Sequence, residues 1–294
     1  MRLPFKKYEG LKNDFIIIDL RNVDQEGLQM QWGNQNLHMA LCDRHGGIGA
    51  DGVLFLEDDN DAVARMKITN SDGSTPEMCG NGIRCVAQYM VDSDEIIGGG
   101  PFVIQSDAGP KTIQIQGSGI KVAMGQGKPQ TSPAAETPWG GNSAWQPSNW
   151  EGPAPLAWAV DMGNPHLVLD FPVSAQEMLK WGPVWAAHPY FEAGVNVGFS
   201  RVLASNEIEL KVWERGAGAT MACGTGACAA ALAWWQHRDW RGPVKVNLPG
   251  GQLEIGLQRA SEGGFDVVMT GPAQHVYSGE VPESWWSTVI DAAK

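Results

Sequence analysis

The chain carries one pattern twice. Residues 64–82, ARMKITNSDGSTPEMCGNG, lie over residues 208–226, IELKVWERGAGATMACGTG, without a gap at a constant offset of 144. Each copy opens with alternating polar and apolar residues (Met66, Ile68; Leu210, Val212), passes through a small-residue loop and reaches Cys-Gly-x-Gly at Cys79 or Cys223. That alternation is strand periodicity. Helical spacing follows in both copies: Ile83, Val86, Ala87, Met90 and Val91 are matched at the same offset by Ala227, Ala230, Ala231, Trp234 and Trp235. Two halves of like fold are therefore required.

Other segments repeat at slightly different offsets, NDFIIID (13–19) with NPHLVLD (164–170), and VIQSDAGPKTIQI (103–115) with VKVNLPGGQLEI (244–255). Between the halves, residues 127–155 are dense in Pro, Gly, Ser and Asn, show no period and read as a linker with a surface excursion holding Trp139, Trp145 and Trp150. Many short strands and one apolar helix per half predict a curled sheet wrapped around a central helix, an α+β repeat. Most of the thirteen tryptophans are expected on the outer faces of the sheets, and those of the excursion form a candidate self-association surface, with a homodimer as the candidate assembly.

Composition excludes several classes of partner. The net charge of -12 comes without any Lys/Arg run, which argues against a nucleic-acid backbone. No apolar run reaches bilayer length and the first residues lack a signal-peptide core, so the expectation is a soluble, cytoplasmic protein without membrane partners. Five cysteines at 42, 79, 85, 223 and 228 are an odd number for a disulfide framework and point to thiols in a reducing compartment.

The repeated cysteines suggest chemistry. Asn81 and Thr225 are good N-cap types, so each helix is expected to start at the glycine turn, with the N–H groups of Gly80, Asn81 and Gly82, or Gly224, Thr225 and Gly226, pointing outward as an anion socket. The positive helix ends are expected to lower the pKa of the adjacent thiols. If the halves face each other across a pseudo-two-fold axis, Cys79 and Cys223 can act as acid and base on opposite faces of one carbon and invert a stereocentre. A lone cysteine is more often a small buried hydrophobe, and Cys42, Cys85 and Cys228 keep that reading. The spacings fit no zinc knuckle, so no metal is expected.

These residues carry a family resemblance. NDF (13–15), DRHGGIGADG (43–52), NSDGSTPEMCGNGIRC (70–85), GNPH (163–166), NV (196–197), WERGAGATMACGTGACAAA (213–231), PGG (249–251) and MTGPA (269–273) together resemble the diaminopimelate epimerases, PLP-independent enzymes that interconvert LL- and meso-diaminopimelate. The resemblance implies an α+β fold of two pseudo-symmetric domains, each a curled, mostly antiparallel sheet around a central helix. These are residues 1–127 and 128–273, with roughly the last twenty residues (274–294) packing back onto the first. It implies no cofactor and a small-molecule substrate, diaminopimelate. By resemblance Cys79 and Cys223 are the acid/base pair, His166 supports Cys79 and Glu214 supports Cys223. Asn13, Asn70, Asn164, Asn196, Glu214 and Arg215 would hold the distal amino-acid end, and Gly80, Asn81, Gly224 and Thr225 the reacting carboxylate.

The chain departs from the family pattern at Lys12, where Gly is usual, at Gly198, where Glu or Gln is usual, and at Ala219, where Glu is common. At the 144 offset Glu214 and Arg215 stand opposite Asn70 and Ser71. The scaffold repeats while its charged groups do not, which suits a substrate inverted at only one of two amino-acid ends. The alternatives are a proline-racemase-like isomerase of another amino acid and a non-catalytic thiol redox or metal-binding protein.

Overall fold

The computed structural model describes residues 2–22, 34–97, 99–117, 119–130, 150–151, 155–261 and 263–292. The excursion with Trp139 and Trp145 lies outside the described residues. The chain divides into two units, Met1–Val122 with Pro272–Lys294, and Ala123–Gly271.

The first unit runs through β1 (Arg2–Gly10), β2 (Asn13–Asp19), α1 (Gln35–Cys42), β3 (Gly52–Glu57), β4 (Ala64–Asn70), α2 (Gly80–Asp92), β5 (Phe102–Ser106), β6 (Gly109–Gln116) and the first part of β7 (Gly119–Gln130). The second takes the rest of β7, then β8 (Leu156–Asp161), β9 (Pro165–Asp170), α3 (Ala175–Ala186), β10 (Asn196–Ala204), β11 (Glu207–Glu214), β12 (Gly218–Thr220), α4 (Gly224–His237), β13 (Val244–Leu248), β14 (Gly251–Arg259) and β15 (Phe265–Gly271). The chain then returns to the first unit with β16 (Gln274–Pro282) and α5 (Glu283–Ala292).

Strand order in the first unit is β16-β1-β2-β3-β4-β5-β6-β7, and in the second β7-β8-β9-β10-β11-β13-β14-β15, with β12 added on β11 and β15 pairing β7 to close the sheet. Each order contains two parallel pairings at equivalent places, β2–β3 and β4–β5 in one, β9–β10 and β11–β13 in the other. The remaining neighbours are antiparallel. The fold class is the α+β repeat that the duplicated pattern requires.

Inside the curl the helix is enclosed on all sides. On α4 every residue from Gly226 to Trp235 is buried, where the spacing alone described only a stripe. Five of them are alanines, Ala227, Ala229, Ala230, Ala231 and Ala233, because a helix that meets strands on every face needs small side chains to approach them. The strands yield as well: a Cβ at Gly127 on β7 would stand 2.7 Å from Leu232 Cδ2 and 2.9 Å from Met162 Sδ. Trp158 and Trp234 pack in this interior with ring centroids 5.0 Å apart, so these two do not lie on the outer face.

The outer faces carry the other helices. In the first unit Leu37 and Leu41 of α1 and Trp286 of α5 join Ile16, Ile18 and Phe55 in one cluster. In the second, α3 lays Met178 and Trp185 over Leu167, Val197 and Phe199. Trp150 is buried there against Phe171, Trp181 and Trp185, so it is packing and not an exposed interface aromatic.

The departures have local explanations. Leu11 and Lys12 form the two-residue turn between β1 and β2, both with positive φ (57° and 60°), a type I′ geometry in which glycine is easiest. A Cβ at Gly198 would stand 3.0 Å from Leu210 Cδ1, so this chain has filled with Leu210 the space a larger residue would need. Ala219 is exposed.

Gly182 within α3 gives a test of the outer packing. Helix propensity favours Ala over Gly by about 1 kcal/mol, but a Cβ there would stand 2.4 Å from two ring atoms of Trp213, which cannot flex away. Gly182→Ala is therefore expected to destabilise by about 1–3 kcal/mol in a urea melt, and an unchanged or higher midpoint would show that α3 shifts freely.

Candidate functional site

A parallel and an antiparallel pairing in each unit collect polar residues at strand ends. Phe15 lies opposite Gly52 and Gly52 opposite Asn70, so Asn13, Asp51 and Asn70 reach one end of the first sheet, the end at which β2 and β3 begin and β4 stops. In the second unit Asn196 lies opposite His166 and Val197 opposite Trp213, which gathers Asn164, His166, Asn196 and Glu214 in the same manner.

At each helix start the N-cap is the cysteine itself. Cys79 and Cys223 have extended backbones (φ -133° and -129°), and their sulfurs accept from the N–H groups of Gly82 and Gly226 at 3.4 Å each. The caps expected at Asn81 and Thr225 thus move two residues upstream. A thiol sulfur reaches the third N–H as a serine oxygen does, and a Cβ there would be crowded. At Gly82 it would meet Leu54 Cδ2 at 3.2 Å, and at Gly226 Cys223 Sγ and Val212 Cγ2 at 3.2 Å. Gly80, Asn81, Gly224 and Thr225 are the first residues of the two helices.

In the first unit the proposed binding residues are joined in series. Arg84 Nη2 donates to Asn81 Oδ1 (2.9 Å), Asn81 Nδ2 to Asn13 Oδ1 (3.2 Å), and Asn13 Nδ2 to Asp51 Oδ2 (2.8 Å). Asp51 is held by Arg44 (2.8 Å), which also pairs Asp14, and Asp14 pairs Lys7 at 2.7 Å. Asn70 stands apart from this series and donates to Ser74 Oγ at 2.9 Å.

The second unit is arranged differently. The Glu214 carboxylate acts electrostatically on the Cys223 thiol and accepts from Thr220 Oγ1 at 2.6 Å, and Thr225 Oγ1 lies 3.7 Å from the sulfur. Asn196 is buried, accepting from the Arg215 N–H (2.9 Å) and donating to Pro165 O (3.2 Å). The Arg215 guanidinium is exposed and donates to Ala193 O. His166 is buried, with Nε2 donating to Asn164 Oδ1 at 3.0 Å.

Electrostatics corrects one expectation. The Cys223 thiol is held well above its ordinary pKa, by burial first and by the Glu214 carboxylate second, against the lowering effect of the Gly226 N–H and Thr225. The helix end is thus outweighed and Cys223 rests as the thiol. Burial also pushes Cys42 up to about 12 and raises Cys85, in keeping with their packing role. None of the five cysteines is in a disulfide. Burial, followed by the charge of Arg215, holds His166 down at about 3, so it is a neutral imidazole at physiological pH.

Sequence reasoning named Asn13 and Asn81 without the groups that orient them. Asp51 lies inside the 43–52 motif, and Arg84 is the one cation in the otherwise apolar spacing after Cys79. That isolated charge was the available signal. Thr220 left none.

Two outcomes follow from the charges. Glu214→Gln removes a charge that raises Cys223, so the pH midpoint for alkylation of Cys223, followed by mass spectrometry, is expected to move down; no movement would mean that burial acts alone. His166 stays neutral in the fold while the unfolded chain protonates near 6.5, so the unfolded state gains the proton and stability falls as pH drops below ~6.5. Between pH 7 and 5 the wild type should lose ~2 kcal/mol more than His166→Gln in urea melts, and equal losses would place the acid sensitivity elsewhere.

The family model for "Diaminopimelate epimerase" matches residues 5–131 and 158–276. A diaminopimelate epimerase of Synechocystis sp. is 41% identical over 285 residues, covering 95% of this chain and 99% of that protein. One of Cyanothece sp. is 41% identical over 291 residues with the same coverage. Among solved structures, a hydroxyproline epimerase from Agrobacterium vitis superposes with a TM-score of 0.67 at 16% identity, over 95% of this chain and 92% of that one. A phenazine biosynthesis protein of the PhzF family from Bacillus anthracis gives 0.70 at 13% identity, over 96% and 99%. The last two share the fold. Sequence identity over nearly the whole length, together with the family match to both halves, makes this chain a member of the diaminopimelate epimerase family.

Proposed function

We propose that the chain interconverts LL- and meso-diaminopimelate by a two-base mechanism in which Cys79 and Cys223 act on opposite faces of one α-carbon. The observation that carries this reading is the repeated cap: a cysteine sulfur at the start of each enclosed helix, beside backbone N–H groups that suit a carboxylate.

In one direction Cys79, as thiolate, takes the α-proton and becomes a thiol. The electron pair left on carbon delocalises into the carboxylate, whose growing charge is met by the N–H groups of Gly80, Asn81, Gly224 and Thr225. The Cys223 thiol then gives its proton to the opposite face and becomes the thiolate. Atoms and charge balance without any co-reactant. The protonated rest state of Cys223, kept by burial and Glu214, supplies the acid for this direction, and the reverse starts with the two protonation states exchanged. His166, a neutral imidazole, is assigned to the support of Cys79, and Glu214 to that of Cys223.

The distal end of the substrate is assigned to Asn13, Asn70, Asn164, Asn196, Glu214 and Arg215. Arg215 offers a planar fork to a second carboxylate. A one-ended substrate of the proline-racemase kind has no use for that set. The same reading puts the protein in the cytoplasm, where five unbridged thiols remain reduced.

Incubation with LL-diaminopimelate in deuterated water tests the proposal. Wild type should invert and take up deuterium at one α-carbon, while Cys79→Ser and Cys223→Ser should each slow inversion by about 10²–10⁴-fold. Unimpaired inversion in both variants would discard the mechanism.

A further inference from the structure

Arg84 has no exposed surface, yet it lies in the first turns of α2, at the helix end where a cation is least favoured. Its donors are directed at Gly80 O (Nη1, 3.0 Å), Asn81 Oδ1 (Nη2, 2.9 Å) and Pro272 O (Nε, 3.1 Å). Gly10 covers it closely, since a Cβ there would stand 3.3 Å from Nη2. Burying a guanidinium carries a desolvation cost. The fold itself does not demand it: at the 144 offset the second unit has Cys228 in this place, also buried, on a helix of the same kind.

What differs between the units is the side chain that Arg84 touches. A guanidinium can only donate and a carboxylate can only accept. Arg84 at one end therefore fixes which side of the Asn81 amide is oxygen, Asn81 fixes Asn13, and Asp51 at the far end accepts the last N–H. Neither amide can turn over without setting donor against donor. We propose that Arg84 is a positioning residue which, through the series Arg84–Asn81–Asn13–Asp51, sets the amide orientation of two substrate-binding asparagines. This rests on the function proposed above, in which Asn13 and Asn81 hold substrate.

Steady-state kinetics with LL-diaminopimelate tests it on wild type, Arg84→Gln, Arg84→Lys, Asn13→Ala and the Arg84→Gln/Asn13→Ala pair, each also melted thermally. Glutamine can present either oxygen or nitrogen to Asn81 and so releases the series. Arg84→Gln is expected to raise KM about tenfold with a smaller change in kcat, and Arg84→Lys, which keeps the charge but loses the fork, should not restore it. In the Asn13→Ala background the same change should add less than about twofold. Multiplicative effects, or an unchanged KM with only a lower melting temperature, would overturn the proposal. If Arg84→Gln does not fold, Arg84→Lys takes its place in the pair, and if neither folds the residue is structural and the proposal fails. Inactive wild type would instead sink the proposed function.

Discussion

A helix enclosed by a curled sheet has no free side face, and most of what this protein can do follows from that confinement. The side chains of α4 from Gly226 to Trp235 serve packing, so polar chemistry is confined to the helix end. There the backbone leaves N–H groups without helical partners. A sulfur at the cap accepts one of them, and this single contact, 3.4 Å in both units, places a thiol beside N–H groups of the kind that suit an anion. Strand pairing then brings asparagine and aspartate side chains to a strand end in the first sheet, and asparagine, histidine and glutamate side chains to one in the second.

The contest between the helix end and burial decides the state of Cys223. A helix terminus contributes about 0.3–1 kcal/mol, less than one pKa unit, whereas desolvation of a buried group moves a pKa by up to about 3–5 units. Burial wins, and Glu214 adds to it. A two-base reaction needs an acid as much as a base, so a thiol that stays protonated is no defect. A low resting pKa at both sulfurs would leave two thiolates and nothing to donate.

The fold was largely legible because duplication and periodicity are properties of the chain alone. The alternations at Met66–Ile68 and Leu210–Val212 are β4 and β11, and the repeats at 13–19 and 164–170 contain β2 and β9. The helices start at the glycine turns as expected, but the caps were misplaced by two residues, since cap preferences rank asparagine and threonine high and say little of cysteine. The Cys223 pKa was misjudged for a similar reason: the sign of the helix end can be read from sequence, but the depth of burial that opposes it arises only when strands close around the helix. Arg84 and Asp51 were visible as residues and invisible as partners, because they stand 33 positions apart and meet only through Asn81 and Asn13.

The proposed reaction accounts for two units that share a scaffold and not a charge pattern. Inversion of one carbon calls for like groups on its two faces, and duplication supplies a cysteine cap on each helix. Everything beyond that carbon differs on the two sides of a substrate with one fixed and one inverting end, so identical surroundings would bind it in two registers. In the first unit an uncharged amide pair is tied between a buried cation and a carboxylate. In the second a carboxylate bears directly on the thiol, and an exposed guanidinium stands beside a buried asparagine. Such a difference favours one register, because an amide fixed at both ends and an exposed guanidinium cannot exchange roles.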